Sequence, residues 1–522
     1  MRSRPLLGSV AAGALAATAA LAGLAPAPAA QADPTAVDPG ADWLVTQIDD
    51  GVVNDPQWGP DYSLSIDAAR ALAAVGAHQA EVDDVLTAMS THVEDYVTFA
   101  GVTSGGSLGK LLAFVTDEGA DETAFGGENL VSRLESLVID EGAAAGRVTN
   151  SGGEFDANVF GQTYAVHGLL QSESATEDAA ALDFLLQQQC DEGFFRLYFT
   201  DDKSAPEQTC DGADEEVPPV DVSALVVIEL HQLATADPDL EAALDAAVDW
   251  IVKQQTEDGS FRGSGVEGPN ANSTGLAGWA LHLAGETQAA ARAATWIRGL
   301  QVPGLACDRK VEPEIGAIAY DPATYEAGVE DGIGDADLYQ WRTAAVQALP
   351  ALQAAPTGGD LAIAAPRFIE GGTRVDFQVT GMAPGERGCV SFGRKTAPVV
   401  ADQDGNATVD LRAAEKTFRR TVQAETTFQS DAHVAVVLGA TTVPVKLRNE
   451  VEPRGAQRVV VSGLREDERV SVRHAGEKIV GRADADGRFV VVVDAPRRRG
   501  TYQVTARGQF ADRRGAASYQ VG

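Results

Sequence analysis

The chain has 522 residues, with 40 Lys and Arg against 76 Asp and Glu, a formal charge of −36. That balance excludes a nucleic-acid binder as the first reading, because neutralising phosphate needs clustered cations. With 44% hydrophobic and 22% charged residues, the composition is that of folded globular domains, and the length calls for more than one core.

In chain order, Arg2 and Arg4 precede an Ala/Leu-rich apolar stretch from Leu6 to Leu24, and Ala30-Gln31-Ala32 has the small-x-small form of a signal-peptide cleavage site. Residues 1–32 are therefore expected to be removed. No later segment approaches the ~18 consecutive apolar residues of a membrane span, so a secreted chain with no membrane span is expected.

Residues 33–356 read as helical, in two alternating sets. One set is apolar on most sides: Tyr62 to Val75, Ser104 to Val115, Val159 to Leu170, Asp221 to Leu233, Ser273 to Ala284 and Leu338 to Leu349. The other carries one charged face: Thr35 to Ile48, Glu81 to Val97, Glu128 to Ile139, Glu173 to Gln189, Asp239 to Gln255 and Glu286 to Leu300. Helices apolar all round need burial on every side, whereas amphipathic ones sit outside. Six inner and six outer helices are expected to close into an α6/α6 toroid.

The ends of the outer helices repeat. Phe184-Leu-Leu-Gln-Gln-Gln189 with Gly193 and Phe195 recurs 66 residues later as Trp250-Ile-Val-Lys-Gln-Gln255 with Gly259 and Phe261; Trp43 to Val53 and Trp296 to Gly304 are looser copies. Each unit reads as a helix end, with a buried aromatic, a Gln able to bond carbonyls and a Gly stop.

These ends resemble the QW-type repeats of the terpenoid-cyclase and protein-prenyltransferase toroids, and Asn270-Ala-Asn272-Ser273-Thr274-Gly275-Leu-Ala-Gly-Trp279 resembles an inner helix of that superfamily. The resemblance covers about residues 35 to 352. It is nearest to secreted actinobacterial prenyltransferase/squalene-oxidase repeat proteins, and more distantly to the cobalamin carriers of the transcobalamin and intrinsic-factor type. The catalytic motifs of the superfamily are missing. There is no Asp-x-Asp-Asp, Asp335-Ala336-Asp337-Leu338 lacking the final acid; Asp49-Asp50, Asp83-Asp84 and Asp201-Asp202 lack the third acid of Asp-Asp-x-x-Asp; and no Cys falls in an inner helix to hold zinc.

A toroid brings the starts of all its inner helices to one rim. Asp61, Asn158, Gln162, Asp221, Asn272, Ser273 and Asp337, with Tyr164, Trp279, Tyr339 and Trp341, are the candidate rim residues; capping and packing are their structural alternatives. His167, His231 and His282 read as core histidines rather than a metal cluster.

Of the four Cys, Cys190 and Cys210 bracket a polar excursion between two helices, and a bridge there is worth roughly 3 kcal/mol. Cys307 and Cys389 are either an inter-domain bridge or two free thiols. After Ala355-Pro356-Thr357-Gly358-Gly359 the chain turns to short Val/Thr/Phe runs, and its halves align at an offset of 82: Val379-Thr-Gly381 with Val461-Ser-Gly463, and Asp402-Gln-Asp404-Gly405 with Asp484-Ala-Asp486-Gly487. Two tandem β-sandwiches resembling Ig-like modules are expected, 357–446 and 447–522. Asp-x-Asp-Gly reads as a hairpin turn rather than a calcium loop. Arg497-Arg498-Arg499 with Arg513-Arg514 read as a basic face.

Three functions remain. The lead is a secreted, non-catalytic binding protein with a small-molecule ligand at the rim, or a cell-wall component as partner. The second is a toroid enzyme acting on an isoprenoid or polysaccharide, for which Asp61, Asp221 and Asp337 would supply paired carboxylates. The third is a structural or adhesive surface protein. The resemblance to the carriers makes a cobalamin-type corrinoid a ligand to try, its amides meeting Asn158, Gln162, Asn272 and Ser273.

Overall fold

The computed structural model describes residues 36–152, 157–210, 219–234, 237–263 and 268–522; the expected signal peptide lies outside these. The first half is helical and the second is built of β-sheets.

In chain order the helical half contains α1 (Asp38–Val45), a three-stranded meander of β1 (Ile48–Asp49), β2 (Val52–Asp55) and β3 (Gly59–Asp61), then α2 (Tyr62–Ala74), α3 (Gln79–Thr91) and α4 (Val93–Val97). A hairpin of β4 (Thr98–Phe99) and β5 (Val102–Thr103) leads into α5 (Gly105–Asp117), followed by α6 (Leu130–Glu135), α7 (Val159–Gln171), α8 (Asp178–Leu186), α9 (Val220–Leu230), α10 (Pro238–Gln254), α11 (Ala271–Leu283), α12 (Thr287–Arg298), α13 (Pro322–Asp331) and α14 (Leu338–Ala348). Helices α2, α5, α7, α9, α11 and α14 touch in that order, and α14 returns to α2, so the six close a ring. Each carries an outer neighbour: α3 on α2, α6 on α5, α8 on α7, α10 on α9, α12 on α11 and α1 on α14.

Burial explains the alternation. In α9, Val222 to Leu230 are buried throughout, whereas α10 buries Leu240, Ala243, Leu244, Ala247, Trp250 and Ile251, a single stripe at helical spacing. Helix α13 was not among the expected elements. Asp321 caps it, its carboxylate accepting from Thr324 N at 2.7 Å, and Pro322 occupies the first turn.

The repeated ends stitch outer helices together. Gln189 Nε2 donates to Gly193 O at 2.9 Å and to Ala243 O on α10 at 2.7 Å; Gln255 Nε2 donates to Gly259 O and to Ala289 O on α12, both at 2.9 Å. Gly193 and Gly259 have φ of 100° and 92°, and a Cβ on either would stand 2.5 Å from a carbonyl oxygen of the next outer helix. Inner-helix side chains complete the stitch: Ser65 Oγ accepts from Val53 N, Ser223 Oγ from Phe195 N and Thr274 Oγ1 from Phe261 N, at 2.8, 3.0 and 2.9 Å. The ring closes through Gln301 Nε2 to Ala36 O at 3.3 Å and Arg342 Nε to Gln47 Oε1 at 3.0 Å.

The β half comprises β6 (Ala362–Ala364), β7 (Phe368–Glu370), β8 (Arg374–Thr380), β9 (Arg387–Phe392), β10 (Lys395–Val400), β11 (Ala407–Arg412), β12 (Phe418–Glu425), β13 (Ser430–Leu438), β14 (Thr441–Thr442), β15 (Val445–Lys446), β16 (Glu450–Val451), β17 (Ala456–Val461), β18 (Arg469–His474), β19 (Glu477–Arg482), β20 (Phe489–Asp494), β21 (Gly500–Arg507) and β22 (Arg513–Val521). A sheet ordered β10-β9-β12-β13-β7 faces one ordered β11-β8-β6 across a core holding Phe377, Val390, Phe392 and Val437. A second pair, β14-β22-β21-β18-β19 with β16 beside β22, and β15-β17-β20, encloses Val459, Val470, Val504 and Tyr519.

The two Asp-x-Asp-Gly turns match: Asp402 Oδ1 accepts from Asp404 N and Asn406 N, and Asp484 Oδ1 from Asp486 N and Arg488 N. They differ from the expected hairpins, because β10 to β11 and β19 to β20 each pass from one sheet to the other. The basic face also changes. Arg513 is 1% exposed, its guanidinium bound to Glu468 Oε1 at 2.6 Å and Oε2 at 2.9 Å, while Arg497, Arg498, Arg499 and Arg514 are exposed.

Disulfides join Cys190 to Cys210 and Cys307 to Cys389, the second tying the helical half to β9. Beside it the Arg387 guanidinium lies 3.4 Å from the Tyr325 ring centroid, and its Nε donates to Gly299 O at 2.6 Å.

Candidate functional site

A cavity of about 1010 Å³ opens inside the helical ring. Its lining follows the inner helices. Counting from the residue that precedes each of α2, α5, α7, α9 and α11, the second position supplies Ser63, Gly106, Phe160, Asp221 and Asn272, and the sixth supplies Asp67, Lys110, Tyr164, Leu225 and Leu276. Deeper turns add Arg70, Glu229 and Trp279. These positions recur at the spacing that keeps side chains on one helical face.

Two ion pairs stand in this wall. Lys110 Nζ stands 2.6 Å from Asp67 Oδ1 and donates to Ser63 O at 3.2 Å and Ser63 Oγ at 3.0 Å. Arg70 Nη2 is 2.5 Å from Glu229 Oε2 and 3.3 Å from Asp117 Oδ2. The Tyr164 ring lies between the cations, 5.3 Å from the Arg70 guanidinium and 5.7 Å from Lys110 Nζ. Behind Arg70, His167 bridges two carboxylates, with Nε2 2.8 Å from Asp117 Oδ1 and Nδ1 2.8 Å from Glu229 Oε2.

Burial governs how these groups titrate. It opposes charge on Lys110 and Arg70, yet the neighbouring carboxylates outweigh it and raise both. Burial alone would lower His167, but hydrogen bonds to Asp117 and Glu229 and their charges lift it to about 9. Burial would raise Glu229, and the charge of Arg70 with the His167 hydrogen bond holds it below the usual carboxylate range. Tyr164 is raised by burial. The network therefore carries its charges paired at neutral pH. Two lining atoms, Arg70 Nη1 and Asn272 Oδ1, are buried without a hydrogen-bond partner among the described residues, which is costly unless a further group completes them.

Of the residues expected at the rim, Asn158, Tyr164, Asp221, Asn272 and Trp279 line this cavity. Asn158 also caps α7, accepting from Gly161 N at 3.2 Å. Asp61 caps α2 and, with Tyr339, lines a separate adjoining groove. Four lie elsewhere. Gln162 is fully buried and does the stitching work of Ser65 and Ser223, accepting from Val148 N at 2.8 Å and donating to Gly146 O and Ala181 O. Ser273 is buried, its N–H donating to Asn270, the true cap of α11. Trp341 is 1% exposed and packs against Gly328 of α13, and Asp337 stands exposed at the start of α14 without a capping bond.

Sequence reasoning missed Asp67, Arg70, Lys110 and Glu229. The available signal was charge inside apolar helices: Lys110 follows Leu108 and precedes Leu111 and Leu112, and Glu229 sits between Ile228 and Leu230. Of the three inner-helix histidines, His167 joins the ion network, whereas His282 is lowered by burial alone. Among the described residues no group of three or more His, Cys, Asp or Glu is placed to hold a metal, and no helix is long and apolar enough to cross a membrane.

Ring and cavity together define an α/α toroid with one central polar site. No protein-family model and no curated protein matches the sequence. Among solved structures, the chain is similar to a protein from Actinoplanes at 18% identity, covering 62% of this chain and 99% of that one with a TM-score of 0.43. It is similar to the type II terpene cyclase MstE from Scytonema at 15% identity, covering 61% and 97% with a TM-score of 0.41. Cellobiose 2-epimerase from Bacillus thermoamylovorans is 12% identical over 50% of this chain and 84% of that one, with a TM-score of 0.36.

Proposed function

We propose that the protein is an extracellular, non-catalytic binding protein that holds a small polar, ring-bearing molecule in the central cavity, with the β half, read as two Ig-like modules, spacing the ring from its surroundings. The observation that carries this reading is the pairing of the charges in the deeper part of the cavity wall. Asp67 is bound to Lys110 and Glu229 to Arg70 and His167, so Glu229 is held ionised and is a poor proton donor at neutral pH. The acids weighed for paired acid–base chemistry stand apart: Asp221 lines the cavity, Asp61 caps α2 beside it, and Asp337 is exposed at α14. A concave wall with aromatic rings and a few fixed polar groups suits recognition. The unpartnered Arg70 Nη1 and Asn272 Oδ1 are groups that a ligand's acceptor and donor would complete on a small side-chain adjustment.

Cations Arg70, Lys110, Arg147 and Lys203 face anions Asp67, Asp201, Asp221 and Glu229 in the lining. That balance favours a ligand with no large net charge. The neutral fringe of a corrinoid would meet only Asn158 and Asn272 of the four side chains weighed for it, so the lining does not suit a corrinoid well. Two disulfides support an oxidising, extracellular location. Titrating cobalamin, haem, a polyprenol and neutral saccharides, with thermal unfolding as readout, tests the reading: stabilisation by a polar ring-bearing compound supports it, and stabilisation by none refutes it.

A further inference from the structure

The groove next to the cavity has a chemistry of its own. It encloses about 360 Å³ and is lined by Asp55, Trp58, Asp61, Tyr62, Ser63, Tyr96 and Tyr339 among others. Ser63 and Tyr96 also line the central cavity, so the two spaces are contiguous. Trp58, at the turn between β2 and β3, is 84% exposed, and Tyr339, in the first turn of α14, is 52% exposed. These elements come from opposite ends of the helical half and meet because the ring closes α14 onto α2.

The groove is built rather than frayed. Asp55 Oδ1 accepts from Gln57 N at 2.8 Å and Trp58 N at 2.9 Å, which sets the turn beneath the indole. The Tyr62 ring stacks on His92 with centroids 5.1 Å apart, and its hydroxyl lies 3.1 Å from His92 Nδ1. An indole and a phenol left this open forgo the burial their size would otherwise gain. No Lys or Arg is among the groove's lining residues, whereas two carboxylates are. An anionic segment would be repelled, and a purely apolar chain would cover Asp55 and Asp61 without bonding them. A sugar ring meets both demands, laying its C–H face on an aromatic plane while its hydroxyls donate to carboxylate and phenol oxygens.

We propose that this groove is a second subsite, taking a neutral sugar ring of a chain-like saccharide whose leading residue occupies the central cavity; the inference rests on the reading of that cavity as the ligand site. The test uses the full secreted chain and β-1,4-linked glucose and N-acetylglucosamine oligomers from monosaccharide to hexasaccharide, with a polyprenol of comparable length as control. Calorimetric affinity should rise about tenfold or more with chain length, and W58A with Y339A should abolish the rise while leaving monosaccharide binding and the melting temperature unchanged. An unaltered length dependence in that variant overturns the subsite, as does binding of the polyprenol in place of every saccharide, or binding of no saccharide at all. Monosaccharide binding with no gain from length removes the groove and keeps the cavity. Saccharide affinity unaffected by Leu225→Trp combined with Leu276→Trp, which set two indoles into the cavity, removes the cavity as the site of the leading residue and overturns the proposal with it.

Discussion

Replacing His167 by Gln probes the ion network behind the cavity wall. His167 has only 8% of its side chain exposed and lies 2.8 Å from both Asp117 and Glu229, and its pKa moves from 6.5 to about 9 in the folded protein. At about 1.4 kcal/mol per unit, that shift corresponds to about 3 kcal/mol of stability. The sign follows from protonation. A group whose pKa is raised on folding contributes fully below its unfolded value, and the contribution is lost as pH rises through the folded value. The stability gap between the parent and His167→Gln should therefore be largest near pH 6 and shrink by about 3 kcal/mol by about pH 10, where His167 is neutral. Subtracting the two proteins removes titrations common to both. Urea unfolding followed by circular dichroism at a series of pH values measures the gap, and a gap constant from pH 6 to 10 would refute the placement of a charged His167 between two carboxylates.

Glu229→Gln should cost up to about 3 kcal/mol at neutral pH, because Arg70 and His167 would keep only the Asp117 carboxylate of the two they share; an unchanged urea midpoint would contradict the burial of that pair. Gly259→Val should destabilise strongly, since its backbone has φ of 92° and a Cβ would stand 2.5 Å from Arg292 O, and a melting temperature within about a degree of the parent would show that the stitch is not tight. Non-reducing peptide mapping should recover Cys190 linked to Cys210 and Cys307 linked to Cys389, with free thiols at either pair counting against the fold as described. Incubation with squalene or a prenyl diphosphate should yield no product above a heat-killed control, and turnover would put the enzyme reading ahead of the binding one.

The helical order was legible because burial writes a different pattern on inner and outer helices, as α9 and α10 show. The Gln and Gly of each repeat were legible as helix ends, but their second partners on the next outer helix, such as Ala243 and Ala289, required the packing itself. The site was only half visible. Of the polar residues near helix starts, those at the second position, Asp221 and Asn272, line the cavity. Those one or two positions further on, Ser273 and Gln162, rotate into the packing between helices. Tyr164 and Trp279 stand as deep as the ions Arg70, Lys110 and Glu229, but each ion depends on a partner from a different helix that no local pattern shows. Arg513 misled for the same reason, since its partner Glu468 is 45 residues away.

The central claim, that the ring's cavity is a ligand site, is tested most directly by comparing ligand-induced stabilisation of the parent with that of a variant carrying Leu225→Trp and Leu276→Trp. Both leucines line the cavity, so two indoles would project into it from the adjacent helices α9 and α11 and narrow it. A compound that binds there, supplied at about 100 times its Kd, should stabilise the parent by about 2.7 kcal/mol and stabilise the narrowed variant much less at the same concentration. Equal stabilisation of both proteins would place the ligand elsewhere and contradict the account.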